Sequence, residues 1–220
     1  MGSKTRTNRI LESLNDAKGS LQKLTEIWQV RDVAWYSHPK ICHRSAKTAL
    51  DLGEGFLAYD IATEGLAHFK SDPLLAQMQA LALARTGSPE AANAALRRLA
   101  DAGHTDEETL GLLARTHKDL WQLAIDKEDA KRHLKECFEL YHRAYRTTGG
   151  YYTGINAATM GLISGKRSLA RRIASEVQAI CEERLAGHCG GEYYWLAATL
   201  AEALLIRGKL AEAQEQYATA

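Results

Sequence analysis

Tyr151-Tyr152-Thr153-Gly154-Ile155-Asn156-Ala157-Ala158 is the stretch that decides the fold. Two alanines side by side on a helix leave a face that a second helix can approach closely, while the larger residues around them fill the flanking gaps. One hairpin earlier, Leu113-Ala114 occupies the equivalent place. Together the two pairs set a register that can be carried outward in both directions.

In that register the same spacing of small residues occurs five times, at the period of roughly 34 residues that marks tetratricopeptide repeats. The last copy places Leu200, Ala201, Leu204, Gly208, Ala213, Tyr217 and Ala220 at motif positions, with Trp195 shifted from its usual place. The copy before it reads Ala157, Ala158, Gly161, Gly165, Ala170 and Ala174. Earlier copies read Ala46, Ala49, Gly53, Ala58, Ala62 and Gly65, then Ala80, Leu83, Gly87, Ala92, Leu96 and Leu99. Gly53, Gly87, Gly165 and Gly208 fall where a first helix ends, so they read as left-handed turn residues rather than phosphate loops. No single hairpin of this kind is stable alone, because each buries its apolar face against its neighbours. The expected fold is therefore an all-α tetratricopeptide-like solenoid of helical hairpins, about five helix pairs plus an N-terminal helix.

Composition agrees. Only three prolines, at 39, 73 and 89, interrupt 220 residues, and each fits a helix start or an interhelical turn. The chain is 25% charged, too polar for a spanning helix. Its formal net charge of +1 gives no global field toward nucleic acid or membrane. Residues 1–48 nonetheless carry nine Lys or Arg against four Asp or Glu. Four cysteines, at 42, 137, 181 and 189, have neither zinc-motif spacing nor disulfide density, and a reducing cytoplasm is the expected setting.

Along the chain, residues 1–4 read as a tag remnant or a disordered start, 5–38 as an N-terminal helical segment and 39–220 as the repeat domain. Ile10, Leu14, Ala17, Leu21, Leu24 and Trp28 recur at helical spacing, predicting a helix or helix pair despite Gly19. Between Trp121 and Cys137 lie about eleven residues beyond a standard repeat. Their charge (Asp126, Lys127, Glu128, Asp129, Lys131, Arg132) predicts two lengthened helices rather than a long loop. Leu210, Ala213 and Tyr217 lack a following helix, so either further native sequence or self-association through the C-terminal helix pair is expected there.

Asp106-Glu107-Glu108-Thr109-Leu110-Gly111-Leu112-Leu113-Ala114-Arg115 with Lys118-Asp119, then Tyr141-His142-Arg143-Ala144-Tyr145, then 151–159, resembles the TRAFs-binding domain. That helical module belongs to the regulatory region of apoptosis-signal-regulating kinases and to many bacterial multidomain proteins. The resemblance runs from about Ala46 to the C-terminus and implies a tetratricopeptide-like scaffold for regulation and protein contact, without catalysis of its own.

The residues themselves carry no nucleophile with a base, no paired carboxylates and no phosphate loop at diagnostic spacing, so no enzyme and no cofactor are expected. His188-Cys189 with Cys181, and His133 with Cys137, are too few and too irregular for a metal site. Projecting the concave positions of first helices gives Lys40, His43, Lys47 and Asp51, then Gln77 and Arg85, then Arg115, Lys118 and Asp119, then Tyr152 and Thr159, then Trp195 and Glu202. Of these Lys47, Arg85, Arg115, Lys118 and Tyr152, with Asn156 beside them, form the expected binding groove. Its basic character points to a protein or an acidic peptide segment as partner. The alternative is a sensor in which Arg85, Arg115 and Lys118 hold a small anionic ligand such as a nucleotide. No membrane contact is expected, and a nucleic-acid partner would need a basic stripe continuing past Tyr152, which is missing.

Overall fold

The computed structural model describes residues 2–187 and 190–219, with side chains from Arg6 onward. The described residues form twelve α-helices and two short 3₁₀ turns, and no strand occurs among them. The fold class is the all-α, tetratricopeptide-like solenoid that the repeat register predicts. The chain divides into two compact units, residues 1–104 and 105–220.

In the first unit α1 (Gly2–Asp16) and α2 (Leu21–Gln29) precede a 3₁₀ turn (Val33–Ser37) and two hairpins, α3 (Pro39–Asp51) with α4 (Gly55–His68) and α5 (Pro73–Arg85) with α6 (Pro89–Asp101). The N-terminal segment is thus a helix pair, broken at Gly19, where φ is +81°. Leu14, Ala17, Leu24, Trp28 and Trp35 join Ile41, Ile61 and Leu75 in one core. Each proline opens a helix, where its missing N–H is no loss. Small residues seat the hairpins. A Cβ on Gly65 would lie 2.9 Å from Leu75 and 3.1 Å from Cys42, so α3, α4 and α5 meet where the sequence leaves no side chain.

The second unit holds α7 (Glu107–Leu123), α8 (Lys127–Thr148), α9 (Tyr151–Ile163), α10 (Arg167–Ala186), a 3₁₀ turn (Gly190–Glu192), α11 (Tyr193–Arg207) and α12 (Leu210–Thr219). Asp106 caps α7 by accepting from the Thr109 amide at 3.1 Å, and Asp126 caps α8 through the Glu128 and Asp129 amides. The α7–α8 hairpin has helices of 17 and 22 residues where α3 and α5 have 13. The extra residues therefore lengthen both helices, as their charge pattern implies.

The turns after four of the five first helices, α3, α5, α9 and α11, share one geometry. The residue after each glycine donates its amide to a carbonyl five residues back: Glu54 to Ala49 at 2.9 Å, Ser88 to Leu83 at 2.9 Å, Lys166 to Gly161 at 2.8 Å and Lys209 to Leu204 at 3.0 Å. This is the Schellman closure, which needs a left-handed residue at the glycine. Gly53, Gly87, Gly165 and Gly208 supply it, with φ from +77° to +85°.

Candidate functional site

In the second unit the first helices of successive hairpins stand side by side. The Thr153 hydroxyl donates to Glu107 at 2.7 Å, joining α9 to α7. The Tyr152 ring lies against Gly111, 3.3 Å from where a Cβ would stand. Thr159 donates to Glu202, joining α9 to α11. Thr159 and Glu202 are two of the positions the repeat register projects onto one face.

On α7 of this unit, Arg115, Lys118 and Asp119 are each partly buried. Burial raises the Asp119 carboxyl above its ordinary range, and the charges of Arg115 and Lys118 oppose that shift. On α9, Tyr152 is 44% exposed and stands edge-on to the buried Tyr141 ring, their centroids 6.2 Å apart. Partial burial raises the Tyr152 hydroxyl, while its bond with Tyr141 and the charge of Arg115 lower it. Arg115 thus acts on both Asp119 and Tyr152, and Lys118 on Asp119. Asn156 is partly buried and donates to the Tyr152 carbonyl at 2.9 Å, an i−4 bond within its own helix. On α11, Tyr194 and Trp195 stand edge to face and are 54% and 63% exposed.

Lys47 and Arg85 lie in the first unit. Lys47 is paired with Asp51 at 2.9 Å along its own helix, and Arg85 donates to the Leu50 carbonyl at 2.7 Å, tying α5 to α3. His43 and Asp72 make another link between these first helices, at 2.8 Å. Both predicted cations in this unit therefore hold intramolecular partners already.

Beside Tyr152 opens a cleft of about 500 Å³ lined by Glu107, Glu108, Gly150, Tyr151, Arg184 and Glu192. Arg184 sits 5.2 Å from the Tyr151 ring centroid and 3.7 Å from Glu192. Arg184 escapes a reading confined to first-helix positions, because it comes from α10. Sequence reading also misses the pairing of His133 with His117, sixteen residues earlier on α7. Cys137 is buried at 0% exposure. His188 and Cys189 lie outside the described residues. Among the described residues no cluster of three metal-ligating side chains occurs and no helix is long and apolar enough to cross a membrane.

The family description Tetratricopeptide Repeats-Sensor matches residues 58–161. The chain has a tetratricopeptide-like repeat fold. A thermophilic tetratricopeptide-repeat protein of Thermus thermophilus superimposes with a TM-score of 0.67 at 20% identity, over 83% of this chain and 89% of that one. A Podosopora anserina protein described as a putative kinesin light chain with nearly identical TPR-like repeats gives 0.55 at 17% identity, over 82% and 93%. The human IFIT1 dimer with m7Gppp-AAAA gives 0.56 at 12% identity, over 91% of this chain and 57% of that one. At these identities the likeness is one of fold. No curated protein matches in sequence.

Proposed function

We propose that the chain is a non-catalytic regulatory module that binds a protein partner through the first-helix face of its second unit, as part of a signalling or defence assembly. The carrying observation is the side-by-side placement of α7, α9 and α11, fastened by Glu107–Thr153 and Thr159–Glu202. The charge of Arg115 is felt at the exposed Tyr152, Lys118 lies one turn further along α7, and Trp195 is exposed. An aromatic ring that is half exposed and backed by a buried tyrosine suits the anchor of an interface, and cations beside it would steer an acidic segment. The resemblance to the TRAFs-binding domain points the same way. In this reading residues 39–220 make up the repeat domain, working in a reducing cytoplasm.

A second reading is favoured by the sensor description of residues 58–161: the same face takes a small anionic ligand through Arg115 and Lys118. Arg85, already bonded to Leu50, contributes least to it.

The test is a pull-down from the source cell, followed by titration of the captured partner against wild type, Arg115→Glu and Tyr152→Ala at two salt concentrations. Partner binding predicts a salt-dependent loss for Arg115→Glu and a larger, salt-independent loss for Tyr152→Ala. Thermal-shift screening with nucleotides and acidic peptides separates the two readings, since a ligand of the folded state raises its stability. If both folded variants bind the partner like wild type, this face is not the site.

A further inference from the structure

A large cavity lies in the first unit, and none of its lining residues is a position the repeat register projects. It measures about 790 Å³ and is formed by α1, α2 and the residues leading into the first 3₁₀ turn. That volume is within the ordinary range for small-molecule sites, roughly 300–1,000 Å³. Its lining combines apolar Ile10, Ile27 and Trp35 with three arginines, Arg6, Arg9 and Arg31. The arginines belong to the basic excess of residues 1–48, and the repeat register gives these three no role.

The three cations are not equivalent. Arg31 is committed to the fold: it lies 3.8 Å over the Trp28 ring, donates to the Trp28 carbonyl at 2.9 Å and makes a bidentate pair with Glu64 at 3.0 and 2.8 Å. Arg6 is paired with the carboxylate of Asp32, which also lines the cavity. Asp32 uses its two oxygens differently, Oδ2 toward Arg6 and Oδ1 as acceptor for the Ala34 amide at 2.9 Å. The guanidinium of Arg9 is exposed and has no ion-pair partner among the described residues. So the cavity offers an apolar wall, one unspent cation, and a second cation on which an internal carboxylate rests.

We propose that this cavity binds an amphipathic anion, a carboxylate, sulfonate or phosphate monoester carried on an apolar body. The apolar body packs on Ile10, Ile27 and Trp35. The anionic head engages Arg9 and takes the place that the Asp32 carboxylate holds on Arg6, while Asp32 keeps its turn-capping bond to Ala34. Guanidinium forks suit such oxyanion heads, and the low-polarity wall discriminates an amphipathic anion from an inorganic one.

The test uses the full chain and isothermal titration with three probes: dodecanoate below its micellar concentration, neutral dodecanol and inorganic sulfate. Dodecanoate is expected to bind one to one, with dodecanol and sulfate each weaker by roughly tenfold or more. Arg9→Glu is expected to weaken dodecanoate roughly tenfold, and Asp32→Asn, which keeps an oxygen for the Ala34 amide but removes the competing charge, to strengthen it several-fold. Circular dichroism and melting temperature establish that each variant is folded, and Arg9→Gln substitutes for the charge reversal if Arg9→Glu is not. Failure of dodecanoate to bind at millimolar concentration, equal binding of dodecanol, or indifference of binding to the Arg9 and Asp32 variants overturns the proposal.

Discussion

His117 on α7 and His133 on α8 meet ring to ring, Nδ1 to Nδ1, at 2.9 Å. His117 is only 4% exposed, so the bond lies at the seam of the lengthened hairpin. Arg132 approaches the other nitrogen of His133, Nε2, at 3.3 Å. An arginine can only donate, so that nitrogen accepts and the His133 proton sits on Nδ1, donating to His117. His133→Ala is expected to lower stability by about 1–2 kcal/mol, since a buried acceptor loses this donor. Urea unfolding at neutral pH measures it, and an unchanged midpoint would show that the bond carries no weight.

Gly154→Ala tests the packing at the stretch that decides the fold. A Cβ there would stand 2.6 Å from Val177 and 2.8 Å from the Tyr145 ring. Neither neighbour moves freely: Val177 is fully buried, and Tyr145, itself 9% exposed, donates to Glu176 at 2.8 Å. Overpacking of this kind costs about 1–3 kcal/mol. Gly53→Ala meets nothing within 4 Å but keeps a φ of +82°, so its expected loss, about 1 kcal/mol, arises from backbone strain. Thermal melts of both variants check the ranking, which fails if Gly53→Ala is the more damaging.

The Arg31–Glu64–Tyr36 cluster predicts a pH dependence. Its hydrogen bonds to Arg31 hold the Glu64 carboxyl below its ordinary range, against the opposing effect of burial and with help from the Tyr36 hydroxyl. A carboxyl depressed in the folded state contributes stability that is present above its unfolded value and lost as pH falls through the folded one. Glu64→Gln should therefore remove part of the acid sensitivity of the melting temperature. Because the pair is about one-third exposed, 30% and 34%, the contribution is no more than about 1 kcal/mol. Melts of wild type and Glu64→Gln from pH 7 to pH 3 should converge at the acid end. Parallel curves would rule out the linkage.

Cys42, Cys137 and Cys181 are all fully buried. Burial pushes their thiols up to about 11, 12 and 11 respectively, away from the reactive thiolate. In a Cys189→Ser background, a disulfide-exchange reagent at pH 8 should find no fast thiol in the folded chain and three after unfolding. A rapid reaction in the folded state would contradict the packing at α3, α8 or α10.

The repeat register was legible because small residues recur where helices must approach, and a Cβ is the shortest-range probe of such an approach. Ala157, Ala158, Ala201 and Ala46 are all fully buried, and the glycines at 53, 87, 165 and 208 close the same turn four times. Spacing alone also put Thr159 and Glu202 on one face; that the first donates to the second came from the structure.

Partner choice among polar side chains was not legible. Nothing in the pattern says that Arg85 spends itself on the Leu50 carbonyl or that His43 pairs with Asp72. Periodicity carries the face a residue occupies; it does not carry the reach and rotamer of a long side chain, which depend on neighbours brought in from other helices. The same limit hid His117 behind His133 and the arginine-lined cavity behind a helix pair that reads simply as amphipathic. The sequence by itself determined the class, the hairpin count and the turn chemistry, because these rest on local conformation and one-residue packing. Only the tertiary structure decided which charges remain available, because each salt bridge and hydrogen bond between helices takes two partners from distant parts of the chain.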